Sequence, residues 1–142
     1  MSAARAGGGP GGTATGLGRV LVAVYGVFAV AATSRAAVQI ATRFSEAPLA
    51  YALSAFAALV YVVATLGLAR TGPRWRSVAW VAVTVELIGV LTVGTLSLAD
   101  PQAFPDATVW SVYGRGYAFV PLVLPVLGLL YLRSERRARP AA

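Results

Sequence analysis

The amino-acid sequence predicts an all-α membrane protein, a four-transmembrane-helix antiparallel bundle with both termini cytoplasmic. Three observations predict it. The 142 residues are 58% hydrophobic and only 12% charged. An average soluble domain carries about 25% charged residues, so a soluble fold would lack the polar groups to cover its surface. The apolar residues fall into runs of ~20 residues, the length that crosses a bilayer as a helix. With one exception, Glu86, the charges lie at the ends of these runs, in the loops and in the tails.

Residues 1–16 contain Gly7-Gly8-Gly9-Pro10-Gly11-Gly12, a composition that cannot bury enough apolar surface to order itself. A disordered Gly-rich tail is expected there. The first span is expected at about 18–37, opened by Arg19 and closed near Arg35. A signal peptide is the rival reading of this stretch, with Ala29-Val30-Ala31 as its cleavage site, but the segment ahead of Arg19 is long for an n-region. Beyond it, Arg35, Gln39, Thr42 and Glu46 share one helical face. They are read as a solvated helix end or an amphipathic turn in the headgroup zone.

The second span is expected at about 47–69, with Pro48 tolerated in its first turn. A tight turn carrying Arg70, Arg74 and Arg76 leads to the third span, about 77–99. The one long loop follows, carrying Phe104, Trp110, Tyr113 and Tyr117, with Asp106 as the cap of a helix starting at Ala107; Phe104, Asp106, Trp110 and Tyr113 are read as an interfacial anchor, or else as a dock for a partner or a lipid. The fourth span is expected at about 110–132, its first turns loosened by Gly114 and Gly116. Residues 133–142 form a basic cytoplasmic tail.

All 12 basic residues are arginines, and the net charge is +7. Arg5, Arg19, Arg70, Arg74, Arg76, Arg133, Arg136, Arg137 and Arg139 fall on one side of the expected bundle. Arg35, Arg43 and Arg115 fall on the other, beside Glu46, Asp100 and Asp106. The positive-inside rule then orients the bundle. The same rule accounts for the positive charge without nucleic acid. There is no Cys and no His. Thiol chemistry, the usual haem ligands, most zinc and copper sites and histidine general-base catalysis are thereby excluded. No metal, cofactor or enzymatic activity is expected.

Glu86 stands out because a carboxyl at mid-membrane is costly and is either functional or tightly satisfied. At ~1.5 Å per residue it lies ~14 Å from the cytoplasmic end of its span. Tyr61 and Pro125 lie at ~12 and ~11 Å on theirs, in the same layer. Pro125 and Pro121 each leave a carbonyl without its helical donor. A neutral Glu86 could donate to such a carbonyl, and Tyr61 could donate to Glu86. Ala79, Ala82, Glu86, Gly89, Val93 and Ser97 form a small-residue stripe. Ser54, Ala58, Tyr61 and Thr65 form another, and the two are expected to face each other, with Leu87, Leu91 and Leu98 toward lipid. An outer charge cluster of Arg35, Gln39, Arg43, Glu46, Asp100, Asp106 and Arg115 is the second candidate. Within it, Arg35 is expected to snorkel outward and to pair with an outer acid.

Two stretches carry a resemblance. One begins Arg35-Ala36-Ala37-Val38-Gln39-Ile40-Ala41-Thr42 and continues through Ala47-Pro48-Leu49-Ala50-Tyr51. The other runs from Phe104-Pro105-Asp106 through Gly114-Arg115-Gly116-Tyr117 to Pro125. They resemble a group of small four-span integral membrane proteins of actinobacteria. The resemblance implies a plasma-membrane location and supplies no activity, cofactor or catalytic residue. Small multidrug transporters share the four spans and a single membrane carboxylate, but theirs lies in the first span rather than the third.

The leading expectation is a multi-pass cell-membrane protein that serves as a non-enzymatic accessory or structural subunit of a larger membrane complex. The alternative is a small proton-coupled transporter, acting as a homo-oligomer, that uses Glu86 with Tyr61.

Overall fold

The structure, a computed structural model, describes residues 10–138. Four α-helices account for most of them: α1 (Pro10–Arg43), α2 (Pro48–Ala69), α3 (Pro73–Ala99) and α4 (Val120–Ala138). Short 3-10 segments lie at Phe44–Glu46, Pro101–Ala103 and Ser111–Tyr117. There is no strand among the described residues. Three helices are long and apolar enough to cross a membrane. A fourth crossing exists if Ser111–Tyr117 and Val120–Arg137, which meet at a 100° bend, act together.

Several boundaries differ from the sequence expectation. Helix α1 already begins at Pro10, inside the stretch read as a disordered tail; residues 1–9 lie outside the described residues. Proline at a first helical position costs no backbone bond. This device starts α2 at Pro48 and α3 at Pro73. The Arg74–Arg76 segment is therefore the first turn of α3 rather than part of the connecting turn, which shrinks to Arg70–Gly72. At the other end α1 continues unbroken to Arg43. The first part of the basic tail, 133–138, is the last turns of α4, and 139–142 lie outside the described residues.

Neighbouring helices run antiparallel. Gly26 of α1 lies against Thr65 of α2, Gly67 of α2 against Ala79 of α3, and Gly128 of α4 against Val83 of α3. The start of α1, the end of α2 and the end of α4 meet at one end of the bundle, where Arg19, Ala69 and Tyr131 line a common cleft. The core is small on α2 and α3. Ala57, Ala64, Ala79 and Val83 are essentially inaccessible, and small side chains let helix backbones come close without a hydrophobic driving force in lipid. Both predicted stripes are largely inside: Ser54, Ala58 and Tyr61 on α2, and Ala79, Ala82, Glu86, Val93 and Ser97 on α3, are buried. Leu91 and Leu98 face outward, but Leu87 packs partly on the core.

The largest departure is the fourth span. No α-helix begins near Trp110; the 3-10 segment Ser111–Tyr117 starts there and breaks at Val112–Gly114. The apolar part of α4, from Val120 to Leu132, is only ~20 Å long, short of a ~30 Å hydrocarbon core. The preceding segment folds back into the bundle and packs along α3, Trp110 over Gly89 and Tyr113 over Gly94. Trp110 is 1% exposed, so it is a core plug rather than an interfacial anchor. It packs edge-on to Phe56 and sits directly over Gly89, where a methyl group would lie 2.5 Å from its ring.

Non-helical backbone at this depth needs partners for its polar groups, and neighbouring side chains supply them. Ser97 Oγ accepts from Val112 N at 2.8 Å, Ser111 Oγ from Thr108 N at 2.9 Å, and Thr108 Oγ1 from Trp110 N at 3.1 Å. Left-handed backbone at Val112, Tyr113 and Gly114, then at Ala118 and Phe119, makes the reversal into α4. A β-branched residue at positive φ is costly, so packing of the segment must hold Val112 there. Asp106 does not cap a helix, because 107–110 is not helical. Its Oδ1 accepts from Ala107 N and its Oδ2 from the Tyr51 hydroxyl at 2.7 Å, which ties the loop to the start of α2.

Gly89→Leu should therefore expel Trp110 and cost roughly 1–3 kcal/mol by overpacking, read as a lower unfolding temperature in detergent. Gly116→Ala, whose added methyl meets nothing within 4 Å, should leave it unchanged. Equal effects of the two would refute the packed plug.

Candidate functional site

Glu86 is the one charged-type side chain among the buried polar residues; the others described are Gln39, Ser54, Ser97, Thr108 and Ser111. Glu86 is 0% exposed. Its Oε1 accepts a 2.5 Å hydrogen bond from the hydroxyl of Tyr25 on α1, which is also fully buried. This bond joins α1 to α3 across the bundle axis. Room for it comes from α4: Gly128 lies beside the pair, and a methyl group there would sit 3.3 Å from the Tyr25 hydroxyl and 3.1 Å from Val83. Glu86 Oε2 has no hydrogen-bond partner among the described residues. The single ion pair among them, Arg76–Glu135, lies at the end of the bundle, so no guanidinium meets the Glu86 carboxyl.

Tyr61 is in the same layer but plays another part. Its ring lies 6.2 Å from that of Tyr25, yet its hydroxyl accepts from Trp110 Nε1 at 3.1 Å and makes no bond to Glu86. The plug is thereby latched to α2. Rings continue outward from this point. Phe28 stacks on Tyr61 at 5.5 Å and meets Tyr117 edge-on at 5.7 Å. Arg35 Nη1 donates to the Tyr117 hydroxyl at 2.6 Å, and its Nη2 to the Ala107 carbonyl at 3.2 Å. Arg35 thus binds the folded-back segment instead of an outer acid.

The prolines divide as well. Pro125 lies inside α4. Pro121 falls in its first turn, where no helical donor is lost, so it frees no carbonyl for Glu86. Both are fully buried.

Of the outer cluster, the structure brings Arg35, Gln39, Arg43 and Asp106 to one cleft with Ser34. Glu46, Asp100 and Arg115 do not line it. Gln39 was expected on a solvated face, but it is 3% exposed and its Oε1 has no partner. Of the expected face, Gln39 alone is buried; Arg35, Thr42 and Glu46 are exposed.

Tyr25 was missed by reading the sequence. It is the one polar side chain in the otherwise apolar stretch 20–32, and at ~9 Å from Arg19 it falls close to the layer of Glu86. Trp110 was missed because an aromatic residue beside Pro, Asp and Gly reads equally as an interface anchor. Comparison with protein families, curated proteins and solved structures finds no match to this chain. The arrangement therefore has to be interpreted from its own chemistry. That chemistry is a hydrogen-bonded clasp between two helices, with one carboxyl oxygen unused.

Glu86→Gln keeps an acceptor for Tyr25 and should shift stability by less than about 1 kcal/mol. Glu86→Leu strands the Tyr25 hydroxyl and should cost about 1–3 kcal/mol. Thermal unfolding in detergent separates them, and a Gln variant as damaged as the Leu variant would show that the charge itself is required.

Proposed function

We propose that this chain is a multi-pass protein of the cell membrane, both termini cytoplasmic, that works as a non-enzymatic accessory or structural subunit of a larger membrane complex. The observation that carries this reading is the enclosure of Glu86. The one acidic group in the bundle centre is answered by a protein hydroxyl, and none of the surface clefts described here is lined by it. A carboxyl used in this way glues helices together and contributes to packing rather than to turnover. The lack of His and Cys removes the commonest general bases and nucleophiles. The arginine-rich turn 70–76 and the arginine-rich end of α4 support the orientation.

One observation favours a second reading, a small proton-coupled transporter. Glu86 Oε2 is buried and unused, as a proton-binding site would require in one of its states. A crevice of about 20 Å³ lies between Phe28, Arg35 and Tyr117, which is room for about one water. Phe28 lines it and stacks on Tyr61, whose ring lies against Tyr25, and neither Tyr25 nor Glu86 lines it, so transport would require a rearrangement there.

The two readings part on one preparation. Protein extracted from native membranes in mild detergent should bring a different membrane protein with it in fixed ratio, and in liposomes it should carry no proton flux above that of empty vesicles. A pure homo-oligomer whose proton flux disappears in Glu86→Gln would establish the transporter instead.

A further inference from the structure

We infer that the arginine-rich end of the bundle holds one anionic phospholipid, its phosphodiester between α3 and α4 and an acyl chain along the groove between α2 and α3. The inference rests on the membrane embedding proposed above, and it holds whether Glu86 is a clasp or a proton site.

Two clefts carry it. The first, about 450 Å³, is lined by Pro73, Arg76, Ser77, Trp80 and Val81 of α3 and by Arg136 of α4. The second, about 480 Å³, is apolar and lies between Phe56, Val60 and Val63 of α2 and Val78, Ala82 and Val85 of α3. They adjoin, because Ser77 and Val81 line both. Along α3 the polar cleft comes first. The apolar groove continues to Val85, ~12 Å beyond Ser77. Cationic at one end and apolar along the next ~12 Å of helix is the profile of an amphiphile standing parallel to the bundle.

The charge at this end is only partly neutralised. The Arg76 Nη1 lies 2.5 Å from Glu135 Oε1, and Glu135 Oε2 also accepts from Tyr131. The Arg76 Nε stays buried without an acceptor. Arg136 lies 5.6 Å from the Trp80 ring centre and has no carboxylate within ion-pair range among the described residues. Glu135 is the one acid described at this end, which also carries Arg70, Arg74, Arg133 and Arg137. Two guanidinium groups beside an interfacial Trp suit a phosphodiester, which accepts from arginine with charge-assisted bonds. Val81, where the clefts meet, is 64% exposed, so a lipid enters sideways without any helix moving.

The test uses full-length protein, delipidated in non-ionic detergent and followed by native mass spectrometry. Phosphatidylglycerol should be retained about tenfold better than phosphatidylcholine, as the loss of a charged hydrogen bond implies. Arg136→Gln should lower phosphatidylglycerol retention about tenfold. Val81→Trp, on the lipid-facing surface, should block the junction and lower it too, and it serves as the probe if the arginine variant fails to fold. Millimolar inorganic phosphate should not displace the lipid. Equal retention of the two lipids, unchanged retention in a folded variant, or displacement by phosphate alone would each overturn the inference, the last by making this a free-anion site.

Discussion

A buried carboxyl group and a buried stretch of irregular backbone face the same constraint: in hydrocarbon no water is at hand, and every polar group must find its partner within the protein. The architecture follows from how this chain meets that constraint twice. Glu86 meets it with Tyr25, from a helix far away in sequence, and the bond fixes the rotation of α1 against α3. Gly128 has to be small because the pair occupies the space in front of α4. The outer segment meets it with Ser97, Thr108, Ser111, Asp106 and Arg35, which take up backbone or neighbouring side-chain groups one by one.

The two solutions are coupled through Tyr61. Its ring leans on Tyr25 and Phe28, and its hydroxyl holds the Trp110 indole. The plug is needed because the apolar part of α4 is too short to cross a ~30 Å hydrocarbon core. Rotation of α1 thus decides where Tyr61 has its neighbours, and Tyr61 decides where the folded-back segment is latched. The opposite end of the bundle has no such latch. It is held by one ion pair, Arg76–Glu135, and carries surplus arginines, and this is where the structure has room for a lipid.

Much of the fold was legible because helix period and apolar length are local properties. Residues 47–69 and 77–99 announce themselves as spans, and Glu86 announces itself as their exception. The folded-back segment was not legible. Trp110, Tyr113 and the two glycines at 114 and 116 suit an interface belt as well as a core plug, and only the shortness of the apolar stretch 120–132 argues for the plug. Pairing is not a local property either. Depth along parallel axes placed Tyr61 in the layer of Glu86, but the hydroxyl that reaches the carboxyl is that of Tyr25. Depth could not say which of two tyrosines turns its hydroxyl inward, since that depends on the rotation of α1. Arg35 failed for the same reason: its partners, Tyr117 and Ala107, come from a segment whose path the sequence pattern does not encode.

The claim at the centre is that Tyr25 and Glu86 act as one unit inside the bundle. A double-mutant cycle of Tyr25→Phe and Glu86→Leu, followed by reversible unfolding in detergent, tests it most directly. A coupling of about 0.5–2 kcal/mol is expected, with the double variant less damaged than the sum of its parts. Strict additivity would contradict it, showing that the two side chains are buried near each other without holding the helices together.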